Sequence, residues 1–240
     1  MTLGLHVGSA FLWDRSKFFV IHAVLWDVDG TLIDSEPLNR RCFHDICAAF
    51  GRPVREDEKS KLFARSFPEV WDILSENYTF PVSYTAWCQA FVDRYKSLSN
   101  NGAARTGVIE TVRRLTAMRV PQACVSNNMR KLTEINLDIV GVRDAMAFLV
   151  CLEDVNRGKP DPESYLKACA RLKLEPGQCL AVDDSPVGVA AAKAAGLYTV
   201  AFPGTSQDAP DFDFATHAQM VVHSMDAFPW SLMAHEHRTN

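Results

Sequence analysis

Short, continuous runs of apolar residues recur along the chain, and each stops abruptly at polar side chains. Residues 18–26 end at Asp27, and residues 120–125 end at Ser126, Asn127 and Asn128. Residues 147–152 lead into Glu153 and Asp154, residues 179–182 stop at Asp183, Asp184 and Ser185, and residues 198–202 stop at Pro203 and Gly204. Largely apolar runs of this length suit strands of a parallel sheet that is buried on both faces. Helical spacing separates them. Val108, Val112, Leu115 and Met118 fall on one helix face, as do Tyr165, Leu166, Cys169 and Leu172 after the start signal Asp161-Pro162. The alanine-rich stretch 187–195 ends at Gly196, a natural C-terminal stop. Strands alternating with helices predict a doubly wound α/β domain with a parallel, Rossmann-like sheet.

The interval 38–105 breaks this rhythm. Residues 38–50, 68–76 and 84–98 are amphipathic at helical spacing, no convincing buried strand occurs among them, and the polar stretch 97–105 reads as a return linker. The expectation is an α-helical insert over 38–105, a core formed by 21–37 and 106–230, an N-terminal extension at 1–20 and a C-terminal tail at 231–240. Within the extension, Asp14, Arg15 and Lys17 interrupt the apolar residues, so the pattern of a signal peptide is missing. No run reaches the roughly 20 apolar residues that a membrane span requires.

Composition narrows the function. Of 240 residues, 48% are hydrophobic and 22% charged, and the formal net charge is −4, which gives no basic excess for nucleic acid. A phosphorylated substrate would need a locally positive pocket that net charge does not reveal. The seven cysteines include no Cys-x-x-Cys pair, which argues against structural zinc and fits reduced thiols in a cytoplasmic protein.

Ligands of open α/β sheets bind beyond the carboxyl ends of the strands, where four polar clusters fall. In Asp27-Val28-Asp29-Gly30-Thr31-Leu32, one carboxylate can attack phosphorus and the other can handle the leaving group's proton; an acidic turn is the plainer alternative. The hydroxyl and backbone N–H groups of Ser126-Asn127-Asn128 can hold phosphate oxygens, or the loop can simply cap a helix. Lys159, in Lys159-Pro160-Asp161-Pro162, can neutralise a transferring phosphoryl group or serve as an ordinary surface charge. The paired carboxylates of Asp183-Asp184-Ser185-Pro186 suit Mg²⁺, while Ser185 and Pro186 suit a helix start.

In this order and at these strand ends, the four clusters resemble those of the haloacid dehalogenase superfamily of phosphatases, over roughly residues 22–203. The resemblance implies that Asp27 is the nucleophile and Asp29 the general acid/base. It also implies that Asp27, the backbone carbonyl of Asp29 and Asp184 hold Mg²⁺, with Asp183 behind them. Ser126 and Asn127 would bind phosphate, Lys159 would orient the nucleophile, and the helical insert would be a mobile cap. Asp34-Ser35-Glu36-Pro37-Leu38 is similar to the phosphoglycolate phosphatase-like and sugar-phosphatase-like branch. Asn39 stands where β-phosphoglucomutases carry a histidine, and Phe63-Ala64-Arg65-Ser66-Phe67 stands where many relatives show a glycine. Arg65 is a candidate for pairing with a second anionic group on the substrate.

The expectation is therefore a cytoplasmic, magnesium-dependent phosphatase acting on small phosphorylated metabolites through an aspartyl-phosphate. It would be a monomer or weak dimer with no nucleic-acid or membrane partner. Three alternatives compete. A sugar-phosphate mutase is disfavoured by Asn39, and a dehalogenase is disfavoured by Asp29. A catalytically silent binding protein would lack a nucleophile, lysine or metal carboxylate, and none is missing.

Overall fold

The computed structural model describes residues 20–62, 66–204 and 212–233. Its strands are β1 (Ala23–Trp26), β2 (Ile33–Asp34), β3 (Ala103–Ala104), β4 (Gln122–Val125), β5 (Leu149–Val150), β6 (Cys179–Asp183), β7 (Tyr198–Ala201) and β8 (Met220–Val221). Six of them form one parallel sheet in the order β5-β4-β1-β6-β7-β8. From β1 the chain builds outward through β4 to β5, then returns to β1's other flank and builds outward again. The order therefore reverses around β1, and the crevice over the carboxyl ends of β1, β4 and β6 is where such sheets bind ligands.

Burial on both faces explains the apolar runs. Every residue of β1, β4 and β6 is buried. On one face, Ala23, Leu25, Ala123 and Ala181 pack with residues of α7 (Glu163–Leu172) and α8 (Pro186–Ala195). The small side chains let these helices approach closely. On the other face, Val24, Trp26, Cys124, Leu180 and Val182 meet α5 (Val108–Ala117) and α6 (Arg130–Val140). Trp26 donates its indole N–H to Gln122 at 3.0 Å, and Gln122 donates to the Val112 carbonyl at 3.1 Å, so the buried polar atoms in this layer are paired.

The helical insert comprises α1 (Glu36–Ala49), α2 (Glu56–Leu62), α3 (Phe67–Ser75) and α4 (Tyr84–Leu98). Its core is rich in aromatic rings: Phe67, Trp87, Phe91 and Tyr95 are buried, and Phe43 packs tilted against Phe91 at 4.6 Å between ring centroids. Leu132 of α6 completes this cluster, so the insert is seated on the core through α6. The antiparallel pair β2–β3 carries the chain in and out.

The short elements α2, β2, β3 and β8 were not expected from sequence. Strands of two residues are too brief to show a period, and α2 opens with Glu56, Asp57 and Glu58, which hide any apolar face. Part of the anticipated C-terminal tail belongs to the core instead. Met233 is buried and bridges to Ile21, whose N–H donates to the Leu232 carbonyl at 2.8 Å. The expected extension lies outside the described residues up to position 19.

Candidate active site

Asp27 is the first residue beyond β1, and its N–H donates to the Val182 carbonyl at 2.9 Å, continuing the ladder to β6. Its carboxylate is thus aimed from the sheet's central strand toward the end of β6. There Lys159, from the loop before α7, donates to Asp27 Oδ1 at 2.7 Å, to Asp183 Oδ2 at 2.8 Å and to the Val125 carbonyl at 2.8 Å. All three of its protons are used, and the ammonium is buried.

Asp183 is fully buried and saturated. Its Oδ2 also accepts from the Tyr165 hydroxyl at 2.8 Å, and its Oδ1 accepts from the Ser185 N–H at 3.0 Å and hydroxyl at 2.8 Å. Asp184 Oδ1 accepts from the Thr31 hydroxyl at 2.9 Å. Two glycines make room for these acids. A Cβ on Gly30, whose φ is +82°, would lie 2.1 Å from Asp184 Oδ2, and one on Gly188 would lie 1.9 Å from Asp183 Oδ2.

Carboxylate oxygens of Asp27, Asp183 and Asp184 lie within 4.8 Å of one another. Among the described residues Lys159 is the one cation in direct contact, so the three carboxylates, when all are ionised, leave a net charge of −2. Burial raises the Asp27 carboxyl well above its usual range, with Asp183 and Asp184 adding to the rise and Lys159 opposing it. Burial together with Asp183 pushes Asp184 up to about 7, opposed by the hydrogen bond from Thr31 and by the Arg105 guanidinium. Burial alone would lower Lys159, but Asp183 and Asp27 outweigh it and hold the ammonium protonated. An oxygen-only donor set with two excess negative charges fits a hard divalent cation. Asp27 and Asp184 each retain one oxygen with no protein donor among the described residues, whereas every bond of Asp183 is spoken for. The first two are therefore suited to direct coordination and Asp183 to holding the lysine.

The Asp29 carboxylate stands apart from this cluster. Its Oδ1 accepts from the Ser35 hydroxyl at 2.7 Å and from Asn136 Nδ2 at 2.9 Å, and its Oδ2 accepts from Asn128 Nδ2 at 3.1 Å. Ser126 is buried at the end of β4, where its hydroxyl accepts from the Asn128 N–H at 3.0 Å. The side chain of Asn127 is occupied: it donates to the Lys159 carbonyl at 3.0 Å and accepts from the Lys159 N–H at 2.8 Å. Asn127 thus fixes the lysine loop with its amide. Arg65 lies outside the described residues.

Several participants were not singled out from sequence. Arg105, assigned to a polar linker, donates to the carbonyls of Gly30 at 2.7 Å, Phe202 at 2.6 Å and Pro203 at 2.8 Å, and stacks on the Phe202 ring at 3.5 Å. It ties the Asp27 loop to the end of β7. Tyr165 looked like one more apolar-face residue. Only the fold reveals that its hydroxyl reaches Asp183.

Comparison with known proteins places this arrangement. Residues 24–202 match the model of the haloacid dehalogenase-like hydrolases. The chain is 34% identical over 208 residues to the validoxylamine A 7'-phosphate phosphatase of Streptomyces hygroscopicus, covering 86% of this chain and 95% of that one. It is 30% identical over 211 residues to a phosphoglycolate phosphatase of Cupriavidus necator, covering 86% and 91%. The crystal structure of CbbY from Rhodobacter sphaeroides in complex with phosphate superposes with a TM-score of 0.79 at 25% identity, covering 88% of this chain and 97% of that one.

Proposed function

This chain belongs to the haloacid dehalogenase-like hydrolase family, and from that premise we propose that it is a magnesium-dependent phosphatase of small phosphorylated metabolites, working through an aspartyl-phosphate on Asp27. The observation that carries the reading is the Asp27–Lys159 contact of 2.7 Å inside a net-negative cluster at the sheet's carboxyl ends. Relatives named as phosphatases support the same class.

In the first half-reaction, Asp27 attacks phosphorus through a carboxylate oxygen. That O–P bond forms as the bond to the substrate oxygen breaks, and Asp29 delivers a proton to the departing alkoxide. In the second, water attacks phosphorus, Asp29 takes its proton, and the bond to Asp27 breaks to release inorganic phosphate. Lys159 holds Asp27 in line and offsets charge on the transferring group. The Ser126 hydroxyl and the Asn127 N–H receive the phosphoryl oxygens. Asp27 and Asp184, with the Asp29 backbone carbonyl, would hold Mg²⁺, which supplies positive charge to the phosphoryl oxygens. The helical insert serves as the cap that shields the site from water. The seven free, buried thiols fit a reducing cytoplasmic setting. No helix among the described residues is long and apolar enough to cross a membrane.

The test is phosphate release from a panel of phosphorylated metabolites, with and without Mg²⁺, followed by NMR for sugar phosphates. Inorganic phosphate accumulates only with the metal present. Full activity in excess chelator, or isomer interconversion without phosphate release, overturns the reading.

A further inference from the structure

A buried polar pair connects the helical insert to Asp29. Asn136 sits in the middle of α6, fully buried, beside Leu132, Leu137 and Val140. Tyr95 is fully buried on α4 of the insert, stacked on Phe91. Asparagine is a poor residue for a helix interior, and burying its amide is costly unless both ends are bonded. Both ends are bonded here: Asn136 Nδ2 donates to Asp29 Oδ1 at 2.9 Å, and Asn136 Oδ1 accepts from the Tyr95 hydroxyl at 2.7 Å.

With Asp29 ionised, the chemistry allows one orientation. A carboxylate only accepts, so Asn136 must turn its NH₂ toward Asp29, and its carbonyl must then face α4. Tyr95 supplies the donor that this carbonyl needs. Burial, with the Asp29 charge behind it, raises the Tyr95 phenol well above its ordinary range, so the hydroxyl keeps its proton. Apolar side chains would pack either position without this cost, yet the two polar exceptions meet each other and end on Asp29.

We propose that Asn136 is a positioning residue for Asp29, and that Tyr95 makes this positioning depend on the seating of the insert against α6. The inference rests on the reading of Asp29 as the group that protonates the leaving oxygen. When the insert is seated, Tyr95 fixes the amide, and the amide fixes the direction of the Asp29 carboxylate. A seat that shifts, or a phenol that is absent, frees the amide to turn and leaves Asp29 with one orienting bond fewer.

The test compares p-nitrophenyl phosphate, whose leaving group departs without a proton, with an alkyl phosphate that the wild type hydrolyses. Wild type, Asp29→Asn, Asn136→Leu, Tyr95→Phe and the Asn136→Leu/Tyr95→Phe double variant are measured with Mg²⁺. All comparisons are made on kcat/KM, which reports the steps through leaving-group departure and not the later water step, where Asp29 serves both substrates alike. Asn136→Leu is expected to lower kcat/KM for the alkyl phosphate by about tenfold, with that for the aryl phosphate changing by less than about twofold. Tyr95→Phe preserves volume and is expected to act in the same direction by about threefold, and the double variant should be no worse than Asn136→Leu alone. Equal losses on both substrates, or a lowered Tm with unchanged alkyl-to-aryl ratio, would mean that the pair only packs, and overturn the inference. Should Asn136→Leu fail to fold, Tyr95→Phe alone decides by the same ratio. Asp29→Asn separates the two levels. If it is selective for the alkyl substrate while the other variants are not, only this inference falls. If it is not selective, the role of Asp29 falls and this inference with it.

Discussion

The site end of the α/β core and the helical insert handle charge in opposite ways. The core gathers three carboxylates around one lysine, Asp27 and Asp183 buried and Asp184 half-buried, and loss of water raises Asp27 and Asp184 above their ordinary range. The insert buries aromatic rings and pairs its charges at the margin. Arg52 holds Glu58 bidentately at 2.5 and 2.8 Å and depresses it to about 2. Asp45 lies between Arg41 and Arg94, and their hydrogen bonds outweigh the cost of partial burial and hold it at about 2. Like charges crowded out of water are unstable until a cation joins them, whereas packed rings and paired margins need nothing further. The core end is built to receive something. The insert is built to hold its shape.

Removing the proposed nucleophile breaks this contrast most directly. Asp27→Asn should lower kcat by at least about 100-fold, since an amide is a very poor nucleophile. The same change removes one of the excess negative charges, so the metal-free Tm should hold or rise. A variant that keeps several per cent of turnover, measured by phosphate release, would end the role of Asp27. In the insert the balance reverses. Phe91→Ala should cost about 3–5 kcal/mol in denaturant unfolding, as large-to-small changes in packed aromatic cores do. A cost under about 1 kcal/mol would show the insert to be loosely packed and the contrast misplaced.

Adding the cation sharpens the comparison. At about 100 times its Kd, Mg²⁺ should stabilise the folded protein by about 2.7 kcal/mol. Asp184→Ala should abolish that gain, and Phe91→Ala should leave it intact. A gain that survives Asp184→Ala moves the ligand role elsewhere.

The smallest effects concern pH, and the two regions should respond with opposite sign. Asp184, raised to about 7, keeps a proton in the folded state that the unfolded chain has already lost. Its contribution is full below the unfolded carboxylate range, near pH 4, and is lost as pH rises through about 7. Glu58 and Asp45, lowered to about 2, contribute above that same range and lose their contribution as pH falls toward about 2. Metal-free protein should therefore lose a few degrees of Tm between about pH 5 and about pH 8. Asp184→Asn or saturating Mg²⁺ should flatten this slope, and Glu58→Gln should flatten only the acid side. A metal-free Tm that rises over the neutral interval would refute the electrostatic picture of the core end.

Much of this was legible before any fold was known, for reasons that differ by residue. Asp27, Asp183 and the polar residues after β4 each follow a largely apolar run, and such a run ends where a buried strand meets solvent or ligand. The helices α3 and α4 show through their spacing because one face of each meets the insert's aromatic core. The strands β2 and β3 did not show, since two residues carry no period. The end of the chain was misjudged because the burial of Met233 depends on Ile21, more than two hundred positions away in sequence.

The sequence by itself determined the alternation of strands and helices, the helical interruption, and the acidic, hydroxyl and lysine clusters that close the strands. These are local properties, set by period, propensity and turn chemistry within about a dozen residues. Only the tertiary structure decided what those side chains do to one another. Asp29 is held by Asn128 and Asn136, 99 and 107 positions later, and Arg105 binds the carbonyls of Gly30 and Pro203, 75 and 98 positions away. Asn127 turns to the lysine backbone, and Asp183 fills with donors while Asp27 and Asp184 each keep an oxygen without a donor among the described residues. Hydrogen bonds between distant side chains depend on angles and separations that only the packed helices and sheet impose, and no pattern along the chain encodes them.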